Sequence, residues 1–222
     1  MKIDRIIRSR RKTFALMIKS DGTLVVRAPL AATSVQIERI VQQKADWIQK
    51  KQAEVKQRQS QSPPKQFNSG ETFLFLGAEY PLVIAQKQSR PLVLTHSYFH
   101  LSHSALPRAR EVFTHWYQQQ ARQVFTERAA FYAARHGLDY KSIRITSART
   151  RWGSCSSKGN LSFTWRLVMA PPQVIDYVVA HELAHLQVRN HSPAFWQKVK
   201  TIMPDYLPYR RWLDAHGHLL TL

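Results

Sequence analysis

One cysteine in 222 residues, Cys155, excludes an internal disulfide and any metal site made of cysteines alone, and it points to a reducing compartment. Long apolar runs are missing too. No segment approaches the roughly 18 uninterrupted apolar residues of a membrane-spanning helix, and Met1 to Arg8 lacks an apolar stretch followed by small residues, so neither a membrane anchor nor a secretory signal is expected. A cytoplasmic protein is the expectation. No phosphate-cradling glycine-rich loop is present, which counts against a dedicated nucleotide-binding fold. Acidic residues are scarce: 14 Asp and Glu face 33 Lys and Arg, for a formal charge of +19.

What is present suffices for a folded core. Hydrophobic residues make up 44% of the chain and aromatics 11%, so whole-chain disorder is excluded and one or two compact domains are expected. The charge exceeds what solubility needs, which raises a polyanionic partner. It is uneven: residues 1–60 hold 14 basic and 5 acidic side chains, residues 61–141 hold 9 and 5, and residues 142–222 hold 10 and 4. The densest cluster, Arg5, Arg8, Arg10, Arg11 and Lys12, suits nucleic-acid phosphates and equally a solvated basic face.

Along the chain, Phe14 to Ile18, Asp21-Gly22 and Leu24 to Val26 predict a hairpin, because Asp-Gly between β-rich runs supplies the positive φ of a tight turn. From Ser34 the apolar residues Val35, Ile37, Ile40, Val41 and Ile48 recur at helical spacing, then fade into a Gln/Lys/Ser run ending at Pro63-Pro64 that reads as a solvated tail or linker. Strand runs return between Phe73 and Leu101. A long amphipathic helix follows Pro107 and stops at His136-Gly137. Ile143 to Ile145 and Leu161 to Trp165 read as strands, with a turn-rich Arg151 to Cys155 between them. Helices are then expected from about Gln173 to Val188, from Ser192-Pro193, and around Tyr209, Trp212 and Leu213. The expected fold class is α+β, with a β-rich half of antiparallel strands and one intervening helix over residues 1–106, packed against a half over residues 107–222 in which a short sheet covers the helix expected from about Gln173 to Val188.

The chemistry concentrates at His181-Glu182-Leu183-Ala184-His185. On a helix, residues i and i+4 point from nearly the same side, so the two imidazoles can reach one Zn²⁺ at about 2.0–2.1 Å. Glu182 lies round the helix, near enough to act on a metal-bound water without being a ligand. A catalytic zinc wants a third protein ligand and an open position. His191, six residues beyond His185, is the best choice; Asp205 and Asp214 are weaker ones. Metzincins, which share this spacing, turn the chain on a glycine where this sequence has Val188. Asn190 is the residue here that tolerates positive φ. The alternative is a chance pattern with packed histidines, but Ile175, Val179, Leu183 and Leu186 mark the helix as buried. Burying two histidines and a carboxylate is costly unless they are bound or paired.

These features, with Arg149, Arg151-Trp152-Gly153-Ser154-Cys155, Leu161 to Leu167, Asn190-His191-Ser192 and Phe195-Trp196, resemble the YgjP-like family of metal-dependent hydrolases. They are zincin-like proteins, distantly similar to the SprT and WLM groups. The resemblance covers nearly the whole chain and makes residues 107–222 a zincin-like domain. It implies that His181, His185 and His191 hold a zinc ion, or another divalent metal, and that Glu182 is the general base. It also implies a metallopeptidase, although UTP pyrophosphatase activity has been attributed to such proteins.

Peptide and nucleoside triphosphate are therefore rival substrates, and both call for metal-assisted hydrolysis. Arg151, Arg166, Tyr206 and Tyr209 are the expected donors to substrate or to a developing oxyanion, each with a structural alternative. Leu161 to Trp165 reads either as an edge strand on which a peptide could pair or as an interior strand. No base is indicated for Cys155 as a nucleophile; burial beside the zinc helix suits it better. Two further readings follow from the charge. One is a nucleic-acid-associated protease; the other is a basic binding protein with structural zinc, for which His216 and His218 would be the loose fourth ligands. The Glu beside the first histidine argues against a structural site.

Overall fold

Around Asp21-Gly22 the chain folds as the expected hairpin: Ala15–Ile18 (β2) pairs antiparallel with Leu24–Pro29 (β3), and the Asp21 carboxylate accepts hydrogen bonds from the backbone N–H and hydroxyl of Thr23 at 3.0 and 2.7 Å. Arg5–Ser9 (β1) adds parallel to the other side of β3. Its charged residues hide the strand from a pattern reading; Asp4 anchors its start by accepting from the Leu24 N–H at 2.7 Å. Helix α1 (Ser34–Gln43) begins with a capping box in which Thr33 and Gln36 satisfy each other's backbone N–H groups. Most of the Gln/Lys/Ser run expected to be a solvated tail or linker is instead part of helix α2 (Ala45–Gln61). Gln, Lys, Glu and Arg are good helix formers without an apolar stripe, so the helix persists although its pattern fades. Leu24, Val26, Ala28, Ile37, Val41 and Ile48 form the core of this unit.

The computed structural model describes residues 2–19, 21–61 and 63–222, without the side chains of Arg58, Gln59 and Gln61. Compactness divides them into two units, Met1–Pro63 and Pro64–Leu222. The boundary falls at the Pro63-Pro64 pair where the linker reading ended. Among the described residues no helix is long and apolar enough to cross a membrane.

The second unit is α+β. Thr72–Phe75 (β4), Ala78–Ala85 (β5), Leu92–Leu94 (β6) and Phe99–Ser102 (β7) form a sheet in the order β4-β5-β7-β6. Phe73 and Phe99 of that sheet pack with Phe113 and Tyr117 of the long helix α3 (Ala109–His136). A second sheet joins Ser142–Thr146 (β8), Gly153–Cys155 (β9) and Asn160–Thr164 (β10) in the order β8-β10-β9. β10 runs parallel to β8 and antiparallel to β9, so it is the middle strand. The interior alternative for Leu161 to Trp165 is therefore the observed one, and β9 is an edge. Leu161 and Phe163 face the core with no exposure. Each of the three sheets includes one parallel pair, made where the intervening chain crosses back rather than turning tightly.

Candidate metal centre

Pro171 and Pro172 open helix α4 (Pro172–Ala184), where a missing N–H costs nothing. The helix is apolar nearly all round: Ile175, Val179, Ala180, Leu183 and Ala184 are fully enclosed. Its one buried acid in the first two turns, Asp176, is held by Arg128 of α3 in a bidentate pair, Nε to Oδ1 at 2.5 Å and Nη2 to Oδ2 at 2.8 Å. Arg128 in turn lies over the rings of Phe131 and Tyr132. The helix ends at the second histidine, short of the expected Val188. His185 is its C-cap, and the Val188 N–H closes back on the Ala184 carbonyl at 3.0 Å. Asn190 does not supply a left-handed turn: the described non-glycine residues with positive φ are Phe67 and Leu76. Instead, the Asn190 side-chain oxygen accepts from the Ser192 N–H at 3.4 Å, where helix α5 (Pro193–Ile202) begins.

That turn returns His191 to the helix. His181, His185 and His191 each offer a ring nitrogen, and the three nitrogens lie within 4.8 Å of one another. His191 Nε2 and His181 Nε2 are 3.1 Å apart. His185 Nδ1 sits 3.0 Å from the Val188 carbonyl, so it is the protonated nitrogen and Nε2 keeps its lone pair. Burial, then the neighbouring His185 and His191, then Arg210, push the His181 pKa down to about 3; burial chiefly lowers that of His185 as well. Neutral imidazoles are the form that binds metal. The donor set, three convergent neutral nitrogens, fits one divalent ion of the zinc type.

Glu182 points elsewhere. It is 5% exposed, and its Oε2 is buried without a hydrogen-bond partner. Burial raises its pKa to about 8, opposed by the charge of Arg151. Above the carboxylate lies β9, and there the residue is Gly153. A Cβ at that position would sit 2.5 Å from Glu182 Oε1 and 2.7 Å from its Cγ, which no real side chain tolerates. Register explains the approach. Gly153 pairs with Phe163, whose side chain faces the core, so Gly153 faces α4 as well. The sequence signal was the lone glycine inside a strand, which marks close backbone approach.

The other expected contacts separate. Arg151 is exposed at the start of β9, close enough to influence Glu182. Arg166 stacks on Trp165 at 4.3 Å and donates to the Ser147 carbonyl at 3.0 Å, bracing the 147–149 segment. Tyr206 is buried and stacked between Tyr177 and Trp196. Tyr209 turns its hydroxyl to Asp205 Oδ2 at 3.2 Å, and that bond with Asp205 raises its pKa after a first contribution from desolvation. Cys155 is half-buried, with Sγ 3.9 Å from Arg189; burial raises its pKa, which leaves it a thiol. Asp205, Asp214, His216 and His218 are outside the cluster that can share a metal among the described residues.

Pattern reading missed the aromatic wall of the site. Phe195 stacks on His185 with centroids 4.4 Å apart, Trp196 lies 5.7 Å from His181, and Tyr177 lies 6.0 Å from His181. Arg210, on helix α6 (Tyr206–His216), covers the Trp196 ring at 4.3 Å. The i to i+4 spacing of Tyr177 and His181 was the available signal.

Comparison with known proteins gives two findings. The family model for the YgjP-like metallopeptidase domain matches residues 12–216. Among solved structures, the metallopeptidase zymogen of Pyrococcus abyssi abylysin is similar at 20% identity with a TM-score of 0.38, over 42% of this chain and 95% of that one. No curated protein matches the sequence.

Proposed function

This chain belongs to the YgjP-like metallopeptidase family, and from that premise we propose that it is a zinc-dependent peptidase in which His181, His185 and His191 hold the metal and Glu182 is the general base. Family membership makes it a metal-dependent hydrolase. The observation that carries the finer reading is the buried, unpartnered Glu182 carboxylate one residue from the first of three convergent histidines. A carboxylate buried without a partner is destabilising, so its retention calls for a use.

A bound zinc ion supplies Lewis acidity, polarising the scissile carbonyl and making water a better acid. The chain does the rest. Glu182 accepts the proton that water gives up and returns it to the departing amine, one residue serving as base and then acid. Gly153 leaves the space in which that carboxylate stands. Among the described residues β9 is paired on one side alone, by β10, and the edge it leaves above the carboxylate is one on which an extended peptide can pair through its backbone. That edge favours peptide over nucleoside triphosphate. Phe195 and Trp196 line the histidines and exclude water from that side.

The test measures zinc content, then hydrolysis of an unfolded protein and of UTP in parallel, with Glu182→Gln as control. Peptide hydrolysis lost in the variant while zinc is retained supports the reading. Hydrolysis of UTP alone overturns it in favour of a pyrophosphatase, and a zinc-loaded protein inert on both substrates overturns it in favour of a structural site.

A further inference from the structure

Beneath the edge strand stands Glu182; above it is something else. The outer face of the β8-β10-β9 sheet holds a cavity of about 150 Å³, the space of roughly five waters at about 30 Å³ each. Its walls come from three strands in register: Arg144 of β8 opposes Ser162 of β10, which opposes Ser154 of β9. Arg151 closes the end beside β9. No acidic residue lines the cavity. Among the described residues Arg144 and Arg151 make no ion pair, and the hydroxyls of Ser154 and Ser162 have no hydrogen-bond partner.

The cavity is built rather than incidental. Thr164 donates its hydroxyl to the Ala148 carbonyl at 2.8 Å, Trp165 Nε1 donates to Ser147 Oγ at 3.1 Å, and Arg166 holds the Ser147 carbonyl, so the segment leading to Arg151 is tied to the sheet. Trp152 lies against Gly217, where a Cβ would come within 2.7 Å of the indole ring. Two guanidinium groups, which can only donate, and two free hydroxyls, which can turn their O–H inward, surround a space without acids and suit an anion with several acceptor oxygens.

Strand geometry then connects the cavity to the reaction. A peptide added to the free edge of β9 places alternate side chains on the face of Ser154 and the others on the face of Gly153. We propose that the outer-face cavity lined by Arg144, Arg151, Ser154 and Ser162 is a specificity subsite that receives an acidic side chain of the peptide substrate. The proposal rests on the peptidase reading for its substrate class, and its test is arranged to fail separately.

In the first arm, inorganic phosphate is titrated into the metal-free protein and followed by NMR at the arginine Nε–H groups and the backbone amides of residues 144–164. Saturable shifts confined to Arg144, Arg151, Ser154 and Ser162, lost in Arg144→Gln/Arg151→Gln, are expected. Shifts spread evenly over the surface arginines, or none, overturn the subsite whatever the enzyme does. In the second arm, a peptide series carrying Glu or Gln at successive positions around the cleaved bond is compared in the zinc-loaded protein. One position is expected to favour Glu about tenfold in kcat/KM, the size of one charge-assisted contact. That ratio falls toward one in Arg144→Gln and inverts in Arg144→Glu/Arg151→Glu. A Glu/Gln ratio unchanged by these substitutions overturns the proposal. If no peptide is cleaved, the peptidase reading has failed, and the phosphate titration alone decides whether the anion cavity stands.

Discussion

Gly153 and Ser154 are neighbours on a three-residue strand, yet the Cβ direction of one and the side chain of the other point to opposite faces of the sheet. Gly153 looks onto α4, where the nearest atoms belong to a buried carboxylate and a single added carbon has no room. Ser154 looks onto an arginine-flanked cavity open to solvent. On the proposed reading the inner face serves one chemical event and tolerates nothing extra, whereas the outer face discriminates among substrates and should tolerate graded change. The alternation of a strand lets one backbone serve both demands within a single step of about 3.3 Å.

Substitutions can break this contrast, beginning with the largest expected effect. Glu182→Gln keeps its shape and loses the proton acceptor, so peptide hydrolysis should fall by about three orders of magnitude with zinc stoichiometry unchanged; retained turnover would mean that the inner face is not catalytic. Gly153→Ala pushes the carboxylate aside and should lower kcat by about a hundredfold, with zinc affinity untouched. Its effect should shrink in a Glu182→Asp background, where the shorter side chain leaves room for the methyl. Equal losses in both backgrounds would assign Gly153 to general folding.

Stability offers smaller tests of the inner face. Asp176→Asn breaks the bidentate contact that ties α4 to α3 and should cost about 2 kcal/mol, or roughly 4–8 °C in Tm for a chain of this size. In metal-free protein, the folded Glu182 keeps its proton to about pH 8, whereas the unfolded chain releases it near 4.5. Between those values the folded state binds more protons, so this residue's contribution to stability falls as pH rises. Denaturation midpoints of metal-free Glu182→Gln and wild type should therefore diverge in favour of the variant between pH 5 and 8; parallel curves would contradict a buried carboxyl. Ser154→Ala, the mildest change, removes one donor from the outer face and should reduce the Glu-over-Gln preference about threefold without altering zinc content.

Which of these features the amino-acid sequence alone reveals follows from how local each is. The histidine spacing on α4, the Asp-Gly hairpin and the Ser192-Pro193 helix start are encoded within a few residues, and they were legible. β1 was not, because Arg5 and Arg8 sit on a strand that its parallel partner β3 stabilises from twenty residues away; Arg8 also donates to the Ala32 carbonyl. The helical character of α2 lay in propensity without periodicity. The middle position of β10 depends on β8 and β9 pairing from both sides, which no single stretch records. Asn190 shows the opposite failure: its residue type permits positive φ, but consecutive right-handed turns after Ala184 bring His191 back without it. Glu182 was recognisable in sequence, and its need for a glycine across the cleft was not, because that need exists only once β9 is laid over α4.

The Arg128–Asp176 clamp grips the metal helix at a position five residues before the first histidine, and the enclosed apolar residues of α4 pack without reference to any ion. Such a helix stands ready before its ion arrives, unlike small zinc domains whose folding waits for the metal. Withdrawal of the ion by a chelator would then leave a folded, refillable protein, so that catalytic capacity could be dialled by metal supply alone, with no molecule lost to unfolding or degradation.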